Sequence, residues 1–167
     1  MKLVLVRHAK AIDGFEFNGP DKERHLTSEG ILEFSGVVTC LSRRFTTVDA
    51  IFVSPYVRAQ ETTLELKKCI KSLHEYTLDD IAPESSPDDS IRSIKRYLIE
   101  IANPDVAFVV GHEPHLGSLA SLLITGSYQP VIDVKRGSAH CISFGGEIRP
   151  GEGILHFSIH PKLFALA

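Results

Sequence analysis

The chain has 167 residues, 43% of them apolar, and a net charge of −3. That length suits one compact domain over residues 1–167, and that apolar share supplies a sizeable core. The negative balance excludes a general nucleic-acid or anionic-membrane binder, and no apolar run approaches the roughly 20 residues that span a bilayer. The first residues carry one Lys and only a five-residue apolar run before Arg7, which is not the pattern of a signal peptide. Cys40, Cys69 and Cys141 are odd in number and lack CxxC spacing; they read as reduced thiols of a cytoplasmic protein.

Strand-like and helix-like segments alternate along the chain. Lys2–Val6 is a short β-branched and apolar run, suited to a buried strand. After Thr27 or Ser28 as N-cap, Ile31, Phe34, Val38, Leu41 and Phe45 fall at steps of three and four, one stripe of a helix. Val48–Val53 is a second apolar strand, followed by a helix with Ala59, Thr63, Leu66 and Ile70 on its inner face. Tyr76–Leu78 reads as a short edge strand, and the PESSPDDS stretch as an exposed turn. Ile91, Ile94, Leu98 and Ile101 mark a third helix, Val106–Val110 a third strong strand, and Leu116, Leu119, Ala120 and Leu123 a fourth helix. His140–Phe144 and Ile154–Ile159 read as two strands joined by the glycine-rich GGEIRPGEG turn.

Strands separated by helices need crossover connections. The expected fold is therefore α/β: a three-layer α/β/α domain with a mostly parallel sheet, to which the last strand pair adds an antiparallel edge. Ligands of such sheets bind beyond the C-terminal ends of the strands. The residues just past the three strong strands are Arg7-His8, Ser54 followed by Arg58, and Gly111-His112. They are expected to converge on one crevice.

Two arginines and two histidines in one crevice suit phosphoryl chemistry. A phosphoryl group carries about −1.5 to −2 charges near neutral pH, and Arg grips it with a rigid fork of donors. Arg7 and Arg58 could clamp its oxygens and offset charge in the transition state. A neutral imidazole is a competent nucleophile near pH 7. In-line attack by one histidine gives a phosphohistidine that water then hydrolyses, while the second donates a hydrogen bond to the phosphate. Such a scheme calls for no metal or other cofactor. Each piece alone has an ordinary reading: Arg58 as a surface arginine on a helix, His112 as a satisfied core histidine.

Four ordered blocks carry a family resemblance. They are Leu5-Val6-Arg7-His8-Ala9, Arg24-His25-Leu26-Thr27-Ser28-Glu29-Gly30, Ser54-Pro55-Tyr56-Val57-Arg58-Ala59-Gln60-Glu61-Thr62, and Val110-Gly111-His112-Glu113-Pro114-His115-Leu116-Gly117. They resemble the RHG, R-x-L-T-x-x-G, S-P-x-x-R-A-x-x-T and G-H-x-P-x-x-G blocks of the histidine phosphatase superfamily (phosphoglycerate mutase-like), and among its members the small SixA-type phosphohistidine phosphatases. The resemblance implies His8 as the nucleophile and Arg7, Arg58 and His112 as the rest of the phosphate pocket, with Arg24 near it as a further phosphate ligand or as a loop partner of Asp21 or Glu23.

Two departures from that pattern bear on function. Ala9 stands where the family has the glycine of RHG, a change of one methyl. Larger members carry a carboxylate that protonates an alkoxide leaving group, and the positional candidate here is Asp80, with a solvated turn acid as the alternative. A weak acid is a small handicap when the leaving group is an imidazole, which can depart once protonated. The short stretch between Arg58 and His112 leaves little room for a substrate-covering insertion. The expected activity is metal-independent removal of phosphate from phosphohistidine on a protein. The alternatives are a phosphatase of a small phosphate ester or phosphoanhydride and, in another class, a non-catalytic phosphate-binding module.

Other features are discounted. His112-Glu113-Pro114-His115 lacks the H-E-x-x-H spacing of a zinc helix. His140, His156 and His160 fall on the last strands, with His140 as the one that could border the pocket. Lys135-Arg136 reads as a solvated turn.

Overall fold

A computed structural model describes residues 1–164 of the chain. In chain order the elements are β1 (Lys2–Arg7), α1 (Ser28–Ser42), β2 (Thr47–Val53), α2 (Val57–Lys67), β3 (Lys71–Thr77), α3 (Pro87–Ile99), β4 (Val106–Gly111), α4 (His115–Thr125), β5 (Ala139–Ser143) and β6 (Ile154–Ile159). The six strands form one sheet in the order β3-β2-β4-β1-β5-β6. The first four of these run parallel, β5 pairs antiparallel with β1, and β6 antiparallel with β5. This is the expected α/β/α sheet with an antiparallel edge.

Each strand of the sheet's centre is apolar on both faces because helices cover both. Val4 and Val6 of β1 join Phe34, Val37 and Leu41 of α1 and Ala59 and Leu66 of α2 in one core layer. Leu3 and Leu5 join Ile91, Ile94 and Leu98 of α3 and Leu116, Leu119 and Leu123 of α4 in the other. The period-two alternation of a strand thus divides one short run between two cores. Thr27 caps α1, its side chain accepting from the Gly30 N–H at 3.0 Å, and Gly126 closes α4 in the left-handed conformation (φ 74°).

Several sequence-based boundaries move. β3 begins at Lys71, well before the expected Tyr76. It is an edge strand, so its exposed residues gave no apolar run to read. Ile70 and Phe45, expected on helices, lie in the turns after α2 and α1, and both are buried there. Ile101 lies beyond the end of α3. The stretch expected as an exposed turn is one only over its first half; its second half opens α3, where Pro87 takes the first helical turn, its missing N–H costing nothing, and Asp88 and Asp89 complement the helix dipole.

Candidate active site

Strand register builds the site. Arg7 pairs with Gly111 across β1 and β4, and Val53 with Val110 across β2 and β4. The residues that follow these positions therefore leave the sheet side by side. His8 is tied to the neighbouring strand by its N–H to the Gly111 carbonyl at 3.0 Å, and Ser54 likewise to the Val110 carbonyl at 3.0 Å. Because β5 runs antiparallel, it starts at the same end, with Ala139 opposite Val6. The turn before β5 reaches the site too.

A pocket of about 270 Å³ opens at this end, lined by Arg7, His8, Ala11, Asp21, Arg24, Arg58, Pro83, His112, Glu113 and Arg136. Four sequence-predicted core residues, Arg7, His8, Arg58 and His112, thus line one cavity, together with Arg24. Asp80 does not. Its carboxylate accepts from the Ser93 hydroxyl, and its carbonyl from Ser90, so it braces a short 3-10 turn against α3. The carboxylates lining the pocket are Asp21 and Glu113 instead.

The geometry fixes how each ring is used. His8 Nδ1 lies 2.7 Å from the Ala9 carbonyl, an acceptor only, so it carries the hydrogen and leaves Nε2 as the ring nitrogen with a lone pair. Arg58 donates from Nε to that Nε2 across 3.3 Å. The ring centroids of His8 and His112 are 5.0 Å apart. His112 Nε2 meets the Ser54 hydroxyl at 2.7 Å. That oxygen also accepts from the Tyr56 N–H; with its own hydrogen given to His112 Nε2, the other ring nitrogen carries the N–H. That Nδ1 is buried with no hydrogen-bond partner among the described residues, and so is Nε of Arg7.

Burial pushes His8 down to about 3, with the Ala9 carbonyl opposing and Arg58 and Arg7 adding to the fall. Burial likewise pushes His112 down to about 2, helped by His8 and Arg58. Both rings are neutral at physiological pH, the state in which Nε2 of His8 can act as a nucleophile. Burial raises the Glu113 carboxyl, against the pull of the Gly117 N–H it accepts and of Arg7.

The arginines are positioned by the backbone and by Asp21. Arg7 donates from Nη1 to the Val134 carbonyl at 2.7 Å. Arg58, almost fully buried, donates to the Asp21 carbonyl at 2.7 Å and to its carboxylate at 3.0 Å. Arg24 donates to the other carboxylate oxygen of Asp21 at 2.8 Å and to the Ile12 carbonyl at 2.7 Å. Arg24 thus pairs with Asp21, as one expectation had it, and also lines the pocket.

Sequence reasoning missed Arg136, Glu113 and Asp21. Arg136 was placed in a solvated turn; it is exposed but lines the pocket, because the turn before an antiparallel strand faces the same way as the ends of its parallel neighbours. Glu113 directly follows His112, so adjacency was the available signal. His115, by contrast, points into the core, where Nε2 meets the Ser90 hydroxyl at 2.7 Å. His140 is likewise structural, held between the Ser138 and Ser158 hydroxyls.

Comparison with known proteins bears on the fold and on the chain's relatives. No family model matches the chain. Phosphohistidine phosphatase SixA of Escherichia coli (strain K12) is 28% identical over 134 residues, covering 78% of this chain and 79% of SixA. A structure of the protein histidine phosphatase SixA complexed with tungstate superposes with a TM-score of 0.84 at 19% identity, over 99% of this chain and 100% of that one. The alpha-ribazole phosphatase from Shigella flexneri superposes at 0.61 with 15% identity, over 91% and 96% of the two chains. The chain is a homologue of SixA, built on the fold of the histidine phosphatase superfamily.

Proposed function

We propose that residues 1–167 act as one histidine phosphatase domain that removes phosphate from phosphohistidine on a protein. His8 is the nucleophile, Arg7, Arg58 and His112 hold the phosphoryl oxygens, and Arg24 and Arg136 add positive field at the pocket wall. The observation that carries this reading is the pair of buried, unpartnered donors, Arg7 Nε and His112 Nδ1, in the pocket that also holds the hydrogen-free Nε2 of His8, which accepts from Arg58 Nε. Buried donors are costly to leave unsatisfied, and a phosphoryl group would satisfy both at the point of attack.

In the first step His8 Nε2 forms a bond to phosphorus as the bond to the leaving nitrogen breaks, and the electron pair stays on that nitrogen. In the second, water attacks phosphorus and His8 regains its lone pair. Positive charge for the transferring group comes from the arginines, so the scheme draws on no metal. The homologue's activity and its length, close to that of this chain, support a protein phosphohistidine substrate. The three free cysteines support a cytoplasmic setting, and no helix among the described residues is long and apolar enough to cross a membrane.

The test is a substrate panel of phosphohistidine peptides and common phosphomonoesters, run in excess chelator with tungstate as a competing oxyanion. The expected result is turnover of phosphohistidine, an acid-labile phosphoenzyme that disappears in His8→Ala, and inhibition by tungstate. Turnover by His8→Ala at the parent rate would sink the nucleophile assignment. Loss of activity in chelator would point to a metal enzyme.

A further inference from the structure

A second, larger groove adjoins the phosphate pocket. It is lined by Glu113 and by Pro130, Val131, Ile132, Asp133 and Val134, and holds about 440 Å³. Glu113 lines both cavities and so marks their junction. The 130–134 wall is neither helix nor strand, yet it is pinned at both ends. The Val131 N–H donates to the Ser121 hydroxyl at 3.0 Å, and the Val134 carbonyl accepts from Arg7. Val134 is buried, while Val131 is 51% exposed and turned to the solvent side.

The two cavities differ in chemistry. Four arginines line the phosphate pocket. The groove has no basic residue among the described residues that line it, but two carboxylates, Glu113 and Asp133, and three apolar side chains in a row. A ligand that spans both would be anionic at one end and neutral or cationic at the other.

We propose that this groove is the leaving-group side of the site and takes the polypeptide that carries the phosphohistidine, favouring apolar or basic residues beside the phosphorylated ring and disfavouring acidic ones. The proposal rests on the function given above. Phosphohistidine fits the charge pattern because its second ring nitrogen can still take a proton, and a neighbouring carboxylate favours that protonated form. When His8 Nε2 bonds to phosphorus, the substrate's P–N bond breaks and its electron pair passes to the departing ring nitrogen. The proton already on the other nitrogen makes the leaving group a neutral imidazole, and no proton donor is consumed. Glu113, at the junction, is the carboxylate placed to hold that N–H. A small metabolite confined to the phosphate pocket would leave the larger groove unused.

The test uses three probes: a phosphohistidine peptide with Leu and Lys beside the modified residue, the same peptide with Glu in those places, and phosphoramidate, which has the P–N bond but neither ring nor chain. The wild-type chain is compared with Val131→Ser and Asp133→Lys, both at exposed positions that the fold tolerates. The expected result is a preference of about tenfold in kcat/KM for the Leu/Lys peptide over the Glu peptide. Asp133→Lys cuts that preference to about twofold, and Val131→Ser lowers turnover of the Leu/Lys peptide about threefold, while phosphoramidate stays within about twofold in both. A wild-type chain that turns over both peptides alike, or variants that lose phosphoramidate and peptide activity together, would overturn the groove assignment alone. No turnover of any P–N probe by the wild-type chain would overturn the phosphohistidine reading and the groove with it.

Discussion

Arg58 reaches Nε2 of His8 from one side at 3.3 Å while its two terminal nitrogens are held by Asp21. The guanidinium is thus oriented before any substrate arrives, and its Nε points along the lone pair that would attack phosphorus. Lysine cannot reproduce a planar fork with three directed donors. Arg58→Lys is expected to lower kcat/KM by about 10²-fold or more, the usual cost of losing a directed transition-state donor. A loss under about threefold in steady-state kinetics would show that Arg58 does not contact the transferring group.

Ser54 decides which nitrogen of His112 bears hydrogen. Ser54→Ala removes the donor to Nε2 and lets the ring take either tautomer. The expected outcome is a kcat about tenfold lower with KM little changed, and a stability cost of about 1 kcal/mol for the lost hydrogen bond. Steady-state kinetics alongside urea denaturation separates the two effects.

Asp80→Asn is expected to leave turnover of every substrate within about twofold, since its carboxylate serves Ser93 rather than the pocket. Glu113→Gln is expected to slow ester substrates by about 10²-fold or more, within the range for a lost general acid, and phosphohistidine less, about tenfold, through loss of the carboxylate that favours its protonated ring. Equal losses on both substrates in side-by-side assays would assign Glu113 a positioning role instead.

The sheet, its crossovers and the crevice were legible because they follow from apolar runs and from where such runs end. The first half of the edge strand β3 was not, since Lys71, Leu73 and Glu75 are exposed and form no apolar run. Arg7, His8 and His112 were legible because they end or directly follow buried strands, and Arg58 because it lies in the first turn of the helix after one. Arg136, Asp21 and Glu113 were hidden for a different reason: nothing local distinguishes a loop residue that lines a cavity from one that faces water. Asp80 was chosen on position alone, and position could not reveal that its side chain turns toward α3.

Gly30 shows what one motif glycine is for. A Cβ there would lie 2.2 Å from the Lys10 carbonyl, so α1 can cross the chain just after His8 only if this position has no side chain. Gly30→Ala is expected to cost about 1–3 kcal/mol through overpacking, and thermal melting should show a Tm lower by several degrees. An unchanged Tm would mean that the crossing can relax.

Histidine burial sets the acid limit of the fold. His115 is pushed down to about 4 by burial, while the unfolded chain titrates near the ordinary value of about 6.5. Between these two the unfolded state takes up a proton that the folded state refuses. Stability is therefore full above about pH 6.5 and falls as pH drops through that window, by up to about 1.4 kcal/mol per unit for this one group. Urea midpoints at pH 7.5 and 5.0 should show the drop, and His115→Asn should lessen it.

β1 lies inside the sheet, with β4 on one side and β5 on the other, while the outermost positions belong to β3 and β6. Backbone amides of β1 should accordingly be among the last to exchange with solvent deuterium, and those at the two rims among the first. The protein can breathe at its margins while the segment that presents His8 stays registered until the whole domain opens.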